Sequence, residues 1–363
     1  MRKLGLSIYP EKSDVIEIKK YLLTASKIGF TRIFSCLLSV NKPKEAIIQE
    51  FKEINIYAHE LGYEIIMDVS PRVFNRLDIN YHDLSFFKKI HADGIRLDQG
   101  FTGNEESIMT FNKEDLKIEI NMSNDTHTVD TIMDYQPNHY NLIGCHNFYP
   151  HNYSGLSLEH FNKCTDNFKK YGLRTAAFIS SQNQETFGPW PVTDGLVTLE
   201  MHRNMPIDVQ AKHFVALGNI DDIIISNCYP NKDELLKMAK VRLDMLSLNV
   251  HLVDKIPNVE KSIVLDELHF NRGDVSNNFI RSTQSRVKYK GHDFVKFNVP
   301  KIIKRGDVII ESSDYGHYAG ELQIAKNDMK NNGKSNVVGR IVDEEIFLID
   351  YIKPWQKFRF SEV

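Results

Sequence analysis

Cysteine is scarce in this chain. Four residues in 363, Cys36, Cys145, Cys164 and Cys228, have neither the spacing of a zinc site nor that of a redox pair. That excludes a disulfide-stapled scaffold, and all four are expected as reduced thiols. An excess of one charge is also missing: 45 Lys and Arg face 48 Asp and Glu, a net charge of −3. Nothing here attracts nucleic acid or an anionic membrane by bulk electrostatics. The one basic stretch, residues 281–290, reads as a local anion site or a solvated face. No apolar run is long enough to span a membrane. Met1-Arg2-Lys3 leads straight into a strand pattern, so no signal peptide and a cytoplasmic location are expected. The phosphate loop, the dinucleotide fingerprint and the Gly-x-Ser-x-Gly elbow are all missing. His59-Glu60-Leu61-Gly62-Tyr63 begins like a zinc-protease helix but lacks the second histidine, and there is no His-x-His pair. The expectation is therefore a small-molecule enzyme with no cofactor and no metal.

What the chain does have is a repeated phrase. Eight short apolar, β-branched runs each stop in or near a polar residue. They are Gly5-Leu6-Ser7-Ile8, Arg32-Ile33-Phe34-Ser35, Ile65-Ile66-Met67-Asp68, Gly94-Ile95-Arg96-Leu97-Asp98, Ile118-Glu119-Ile120-Asn121, Ile143-Gly144-Cys145-His146-Asn147, Ala176-Ala177-Phe178-Ile179-Ser180 and Asp222-Ile223-Ile224-Ile225-Ser226. Near-continuous apolar runs are the mark of parallel strands buried on both faces. Amphipathic helical patterns lie between several of them. In the first, Asp14 can cap, with Glu17 as the return half of a capping box, and Val15, Ile18, Leu22 and Ala25 share a face. Pro43 opens the second, and helices are also expected over 83–90, 158–171, 209–217 and 232–246, with weaker ones near Ser107 and Val129. The fold class is α/β, a TIM-type (β/α)8 barrel.

From about Ile256 the texture becomes alternating, as in Val287-Lys288-Tyr289, Phe294-Val295-Lys296-Phe297, Asp307-Val308-Ile309-Ile310, Val337-Val338-Gly339-Arg340-Ile341 and Ile346-Phe347-Leu348-Ile349. This predicts a smaller all-β unit, a small barrel. The expected domains are residues 1–250 and 256–363, with the boundary between 247 and 258.

In a TIM-type barrel the carboxyl ends of the strands hold the active site. Asp68, Asp98 and Glu200 are the carboxylates that position points to as catalytic, by proton transfer and attack or water activation at a glycosidic bond. Each Asp can equally cap its following loop. Asn121, with Ser123 and Asn124 behind it, offers amide and hydroxyl groups to a sugar. His146, Asn147 and Tyr149 combine an imidazole, an amide and an aromatic in one loop, and His202 and Arg203 could bind an anionic substituent, with an ordinary helix-start salt bridge as the alternative. Arg281, in the C-terminal unit, could complete an anion pocket from the side or belong to a solvated edge.

As a set, Gly5-Leu6-Ser7-Ile8-Tyr9-Pro10, Asp68-Val69-Ser70-Pro71, Arg96-Leu97-Asp98, His146-Asn147-Phe148-Tyr149-Pro150, Thr198-Leu199-Glu200-Met201-His202-Arg203, Ile280-Arg281-Ser282 and Tyr318-Ala319-Gly320-Glu321-Leu322-Gln323-Ile324 resemble the 6-phospho-N-acetylmuramidase family, long catalogued only as a domain of unknown function. The resemblance covers nearly the whole chain. It implies a TIM-type barrel with a cyclophilin-like C-terminal barrel, and a cytoplasmic glycoside hydrolase. The implied substrate is N-acetylmuramic acid 6-phosphate β-1,4-linked to N-acetylglucosamine, met during cell-wall sugar recycling. One departure is Val197, where the family often carries proline. Acid catalysis by one of the three carboxylates with a second as base or nucleophile, or attack by the substrate's own acetamido group, are both open at this point. Arg203 and Arg281 are the expected holders of phosphate or lactyl carboxylate. The rivals are a sugar-phosphate isomerase or aldolase, which would need a metal or a strand-end lysine that no run supplies, and a non-catalytic carbohydrate-binding protein. No oligomeric state is read.

Overall fold

All eight apolar runs become strands of one closed parallel barrel. They are β1 (Lys3–Ile8), β2 (Phe30–Cys36), β3 (Glu64–Val69), β4 (Gly94–Leu97), β5 (Lys117–Asn121), β6 (Leu142–Cys145), β7 (Arg174–Ile179) and β8 (Asp222–Ile225), each paired with the next and β8 with β1. The structure is a computed structural model and describes residues 2–38, 42–192 and 194–363. Helix α1 (Val15–Ser26) starts at Asp14, whose carboxylate accepts the Glu17 N–H at 2.8 Å, a cap worth about 1 kcal/mol. It buries Ile18, Tyr21, Leu22 and Ala25. Helix α2 (Lys44–Glu60) follows Pro43, and the short α3 (Pro71–Arg76) leaves the end of β3 directly.

One layer of the barrel interior is charged, next to an apolar cluster that includes Phe34, Phe178 and Ile224. Arg32 of β2 is fully buried and donates to Glu119 of β5 and Asp222 of β8, both equally buried. Burial opposes the charge of Arg32, but Glu119 and Asp222 outweigh it and hold the guanidinium ionised. Arg174 of β7 joins the same layer, 2.6 Å from Glu64 and 2.6 Å from Asp222. Strands β2, β3, β5, β7 and β8 are thereby tied across the barrel as well as around it.

The second unit is mostly β. The chain divides between Lys240 and Val241, with Val215–Leu217 grouped with the C-terminal residues. That lies ahead of the expected 247–258 boundary because β9 (Leu246–Leu252) pairs inside the C-terminal sheet, and the helix expected over 232–246 stops at Lys240. The remaining strands are β10 (His269–Phe270), β11 (Phe279–Ser282), β12 (Ile302–Ile303), β13 (Asp307–Glu311), β14 (Leu322–Ala325), β15 (Met329–Lys330), β16 (Ser335–Ile341) and β17 (Lys357–Glu362). Seven form one sheet in the order β10-β17-β9-β16-β13-β14-β11, and β12 and β15 form a separate ribbon. The expected small barrel is not closed by a ladder. Its two edges meet through one backbone bond, Arg272 N–H to Arg281 O at 3.0 Å.

Three expected strands differ. Residues 287–289 belong largely to a short helix (Gln284–Lys288), and 294–297 carry no strand. Residues 346–349 sit in a 3-10 helix (Asp343–Tyr351) that buries Glu345, Leu348 and Ile349, a three-residue spacing that alternation alone does not reveal. A helix (Asn258–Asp266) also interrupts the unit expected as all β. The four cysteines are buried thiols. Among the described residues no helix is long and apolar enough to cross a membrane.

Removing Arg32 leaves buried Glu119 without its cation and Asp222 with Arg174 alone. Arg32→Met is expected to lower the unfolding free energy of the barrel by about 3–5 kcal/mol, measured by urea denaturation followed through circular dichroism.

Candidate active site

Strand register sets the site. Asp68 pairs with Arg96 across β3 and β4, and Arg96 with Glu119 across β4 and β5. Residues two apart on a strand share a face, so Asp98, just past β4, lies above Arg96. The Arg96 guanidinium is 2% exposed and fans out at the barrel mouth. Its Nη1 donates to Asp68 Oδ1 at 2.6 Å and reaches Asp98 Oδ1 at 3.4 Å, and its Nη2 donates to Asn147 Oδ1.

The two carboxyls differ in surroundings. Asp68 is 5% exposed, and burial pushes its carboxyl up to about 7 against the pull of Arg96, with the charge of Asp98 adding to the rise. The Asp98 side chain is 33% exposed. A buried carboxyl raised to about 7 beside a more exposed one is an arrangement acid–base chemistry can use. Because both lie on one nitrogen, their nearest oxygens are no more than about 6 Å apart, which is compatible with the ~5–5.5 Å carboxyl spacing of retaining glycosidases.

Asn121 supports this pair from β5. Its Nδ2 donates to the Asp98 carbonyl at 3.1 Å, and its Oδ1 accepts the Ser123 N–H at 2.9 Å. Tyr149 is half-buried, with Ser123 and Asn147 in hydrogen-bond reach and its phenol raised by burial.

His146, expected at the mouth, is fully buried one layer below it and stacks on Phe161. Burial drops its imidazole to about 3, so it is neutral. Its tautomer follows from its neighbours. The Thr165 hydroxyl donates to Phe161 O, which leaves Thr165 Oγ1 to accept from His146 Nε2–H at 2.9 Å. His146 Nδ1 then accepts from Ser123 Oγ–H at 3.2 Å, and Ser123 Oγ accepts the Asn147 N–H at 2.7 Å. His146 therefore positions Asn147 and has no route to a ligand.

Glu200, Arg203 and His202 also differ from expectation. Glu200 opens a 3-10 turn (Glu200–His202) and accepts Arg203 Nε and Nη2 at 2.7 and 2.6 Å, and the N–H groups of Tyr153 and Gly155 at 2.9 and 2.7 Å. These bonds, Arg203 first, hold its carboxyl down at about 2. A Cβ on Gly155 would come within 2.6 Å of Glu200 Oε2, which explains the glycine. Arg203 sends Nη1 to the carbonyls of Tyr149, Asp194 and Gly195 at 3.1, 2.9 and 3.1 Å. It is a structural clasp, with its donors committed. His202 is buried against His213, 2.7 Å away, and Phe214. Arg281 lies on β11 of the C-terminal unit, bound to Glu321 at 2.7 Å. Arg96 is the residue that reading strand ends alone does not select. Its signal was a cation at the second position before Asp98 within an otherwise apolar run. Among the described residues no cluster of His, Cys, Asp and Glu is suited to a metal.

The depressed Glu200 carboxyl contributes stability above its unfolded value near 4.3, and loses it as pH falls toward 2. Glu200→Gln is expected to lower the melting temperature at pH 7, and the difference from wild type should vanish as the pH approaches 2, as followed by differential scanning calorimetry.

Comparison with known proteins bears on the whole chain. A crystal structure of an uncharacterized B. cereus protein is 46% identical and superposes with a TM-score of 0.90, over 99% of each chain. A conserved Enterococcus faecalis protein of unknown function is 22% identical, with a TM-score of 0.72 over 99% of this chain and 96% of its own, and shares the fold. No protein of curated function matches. The family model described as 6-phospho-N-acetylmuramidase, N-terminal, matches residues 4–240, and its C-terminal counterpart matches residues 246–361. With both units matched, the chain belongs to the 6-phospho-N-acetylmuramidase family.

Proposed function

We propose that this protein is a glycoside hydrolase that cleaves the β-1,4 bond between N-acetylmuramic acid 6-phosphate and N-acetylglucosamine, in cytoplasmic cell-wall sugar recycling. The observation that carries the reading is the Asp68–Arg96–Asp98 constellation at the barrel mouth, in a chain of this family. Asp68, protonated below about pH 7, gives its proton to the bridging oxygen as the bond from the muramyl C1 breaks. Asp98 attacks C1 and forms a glycosyl ester. Water then displaces Asp98 and yields its proton to Asp68, which restores both groups. Arg96 reaches both carboxyls and orients them, Asn121 holds the Asp98 carbonyl, and Asn147 accepts from Arg96.

Glu200 drops out of this scheme because two backbone amides and Arg203 hold it as a carboxylate. With Arg203 committed, the phosphate needs other cations. Arg72 and Arg76, one turn apart on α3, are exposed and have no acidic partner among the described residues. Arg76 donates Nη2 to Leu37 O at 3.2 Å, and the Leu37 N–H bonds the Asp68 carbonyl, so the pair borders the catalytic strand ends. Burial and the like charge of Arg72 lower the Arg76 guanidinium, a strain that a bound dianion would relieve.

The primary test is release of N-acetylglucosamine from the muramyl disaccharide with and without its 6-phosphate. Turnover of the phosphorylated form is expected, and turnover of neither by folded protein would remove the reading. Asp68→Asn should lower kcat by roughly 100-fold to 10,000-fold. The wild-type kcat/KM should fall as pH rises through about 7, where the acid loses its proton. Arg76→Met should raise KM for the phosphorylated substrate about tenfold or more and leave that for the unphosphorylated disaccharide unchanged.

A further inference from the structure

The C-terminal sheet has a second buried face that its core does not use. On β13, Val308 and Ile310 point into the main core, so Ile309 and Glu311 point the other way. By the same alternation β11 presents Phe279 and Arg281 to that side and β14 presents Gln323. The ladder aligns them: Arg281 and Ile309 both pair with Gln323, and Glu311 pairs with Ser335 of β16. Above this row lies a cleft of about 480 Å³, bounded by Ile303 of β12, Met329 of β15, Tyr315 and Tyr318.

The polar groups in the row are not those of a face built only to pack. Gln323 is 7% exposed and donates Nε2 to Glu321 Oε1 at 3.2 Å. A carboxylate only accepts, which fixes the amide orientation and leaves Gln323 Oε1 as the acceptor; it is buried and without a partner. Arg281 spends Nε and Nη2 on Glu321, which leaves Nη1 as a donor, and its guanidinium lies 5.9 Å from the Tyr318 ring. Glu311 accepts from Ser335 Oγ at 2.6 Å, and burial pushes its carboxyl up to about 7. Phe279, Ile303 and Met329 supply apolar contact beside these groups. An unsatisfied buried acceptor next to an uncommitted donor calls for a ligand that brings both partners.

We propose that this cleft, built wholly from the C-terminal unit, is a binding site for an N-acetylated amino sugar. The acetamido carbonyl accepts from Arg281 Nη1 and its N–H donates to Gln323 Oε1. The methyl group packs on Phe279, Ile303 and Met329, and the ring lies against the tyrosines. The choice of a sugar among acetamides rests on the glycosidase reading, while the cleft and its unmatched acceptor do not.

The test titrates the full chain with N-acetylglucosamine while the 13C-methyl signals of Met329 and Ile303 are followed by NMR. Both signals should shift saturably, in wild type and in Asp98→Asn alike, and glucose should leave them unmoved. Gln323→Met should weaken the response at least tenfold. Tyr318→Leu, at a residue 44% exposed on the rim, should weaken it at least threefold and serves if Gln323→Met does not fold. Still signals, an equal response to glucose, a response untouched by both variants, or tighter binding of an N-acetylated dipeptide would each overturn the proposal. Turnover is not read, so the experiment stands or falls independently of the hydrolase assignment.

Discussion

A guanidinium sealed inside the barrel is the constraint on which the rest of this structure depends. Arg32 keeps its charge, does not reach water and donates to two carboxylates, so β2, β5 and β8 meet in one register around it. Once that layer is fixed, the alternation of each strand fixes the next layer. Arg96 falls two residues above the level of Gly94 on β4, and Asp68, Asp98 and Asn147 come to it. The constellation we propose as catalytic is thus the top tier of an ionic stack whose lower tier is structural.

The same physics gives the two tiers different work. In the lower tier Arg32, Glu119 and Asp222 are sealed from solvent, while Arg174 and Glu64 at its margin are partly exposed. In the upper tier the guanidinium is buried, but one of its carboxylates opens to the mouth. That asymmetry separates Asp68 from Asp98: one is protonated near neutrality by its surroundings, and the other stands where a substrate can touch it.

Much of this was legible in the sequence. Apolar runs ending in polar residues gave all eight barrel strands, and the strand ends gave Asp68, Asp98, Asn121 and Asn147. The reading failed where position along the chain does not determine depth. His146 and Asn147 are neighbours, yet strand alternation sends one to the core and the other to the mouth. For Glu200 and Arg203 the sequence left a ligand-facing pair and a helix-start salt bridge both open, and folding joins them as an ion pair three residues apart on one tight turn. In the C-terminal unit, residues 346–349 look like a strand because one turn of 3-10 helix and two residues of alternation present similar apolar patterns. What no local pattern carries is the pairing of charges far apart in sequence, such as Arg32 with Asp222.

The Glu200–Arg203 clasp grips five backbone groups, the N–H of Tyr153 and Gly155 and the carbonyls of Tyr149, Asp194 and Gly195. The loop leaving β6 and the loop leaving β7 are therefore spliced into one arc of the rim. Apart from Gly155, where a Cβ would meet Glu200, a side chain on that arc can be exchanged without losing these bonds, because the clasp holds main chain. Exchanges at the exposed positions of that arc would reshape this side of the mouth and leave the main chain in place.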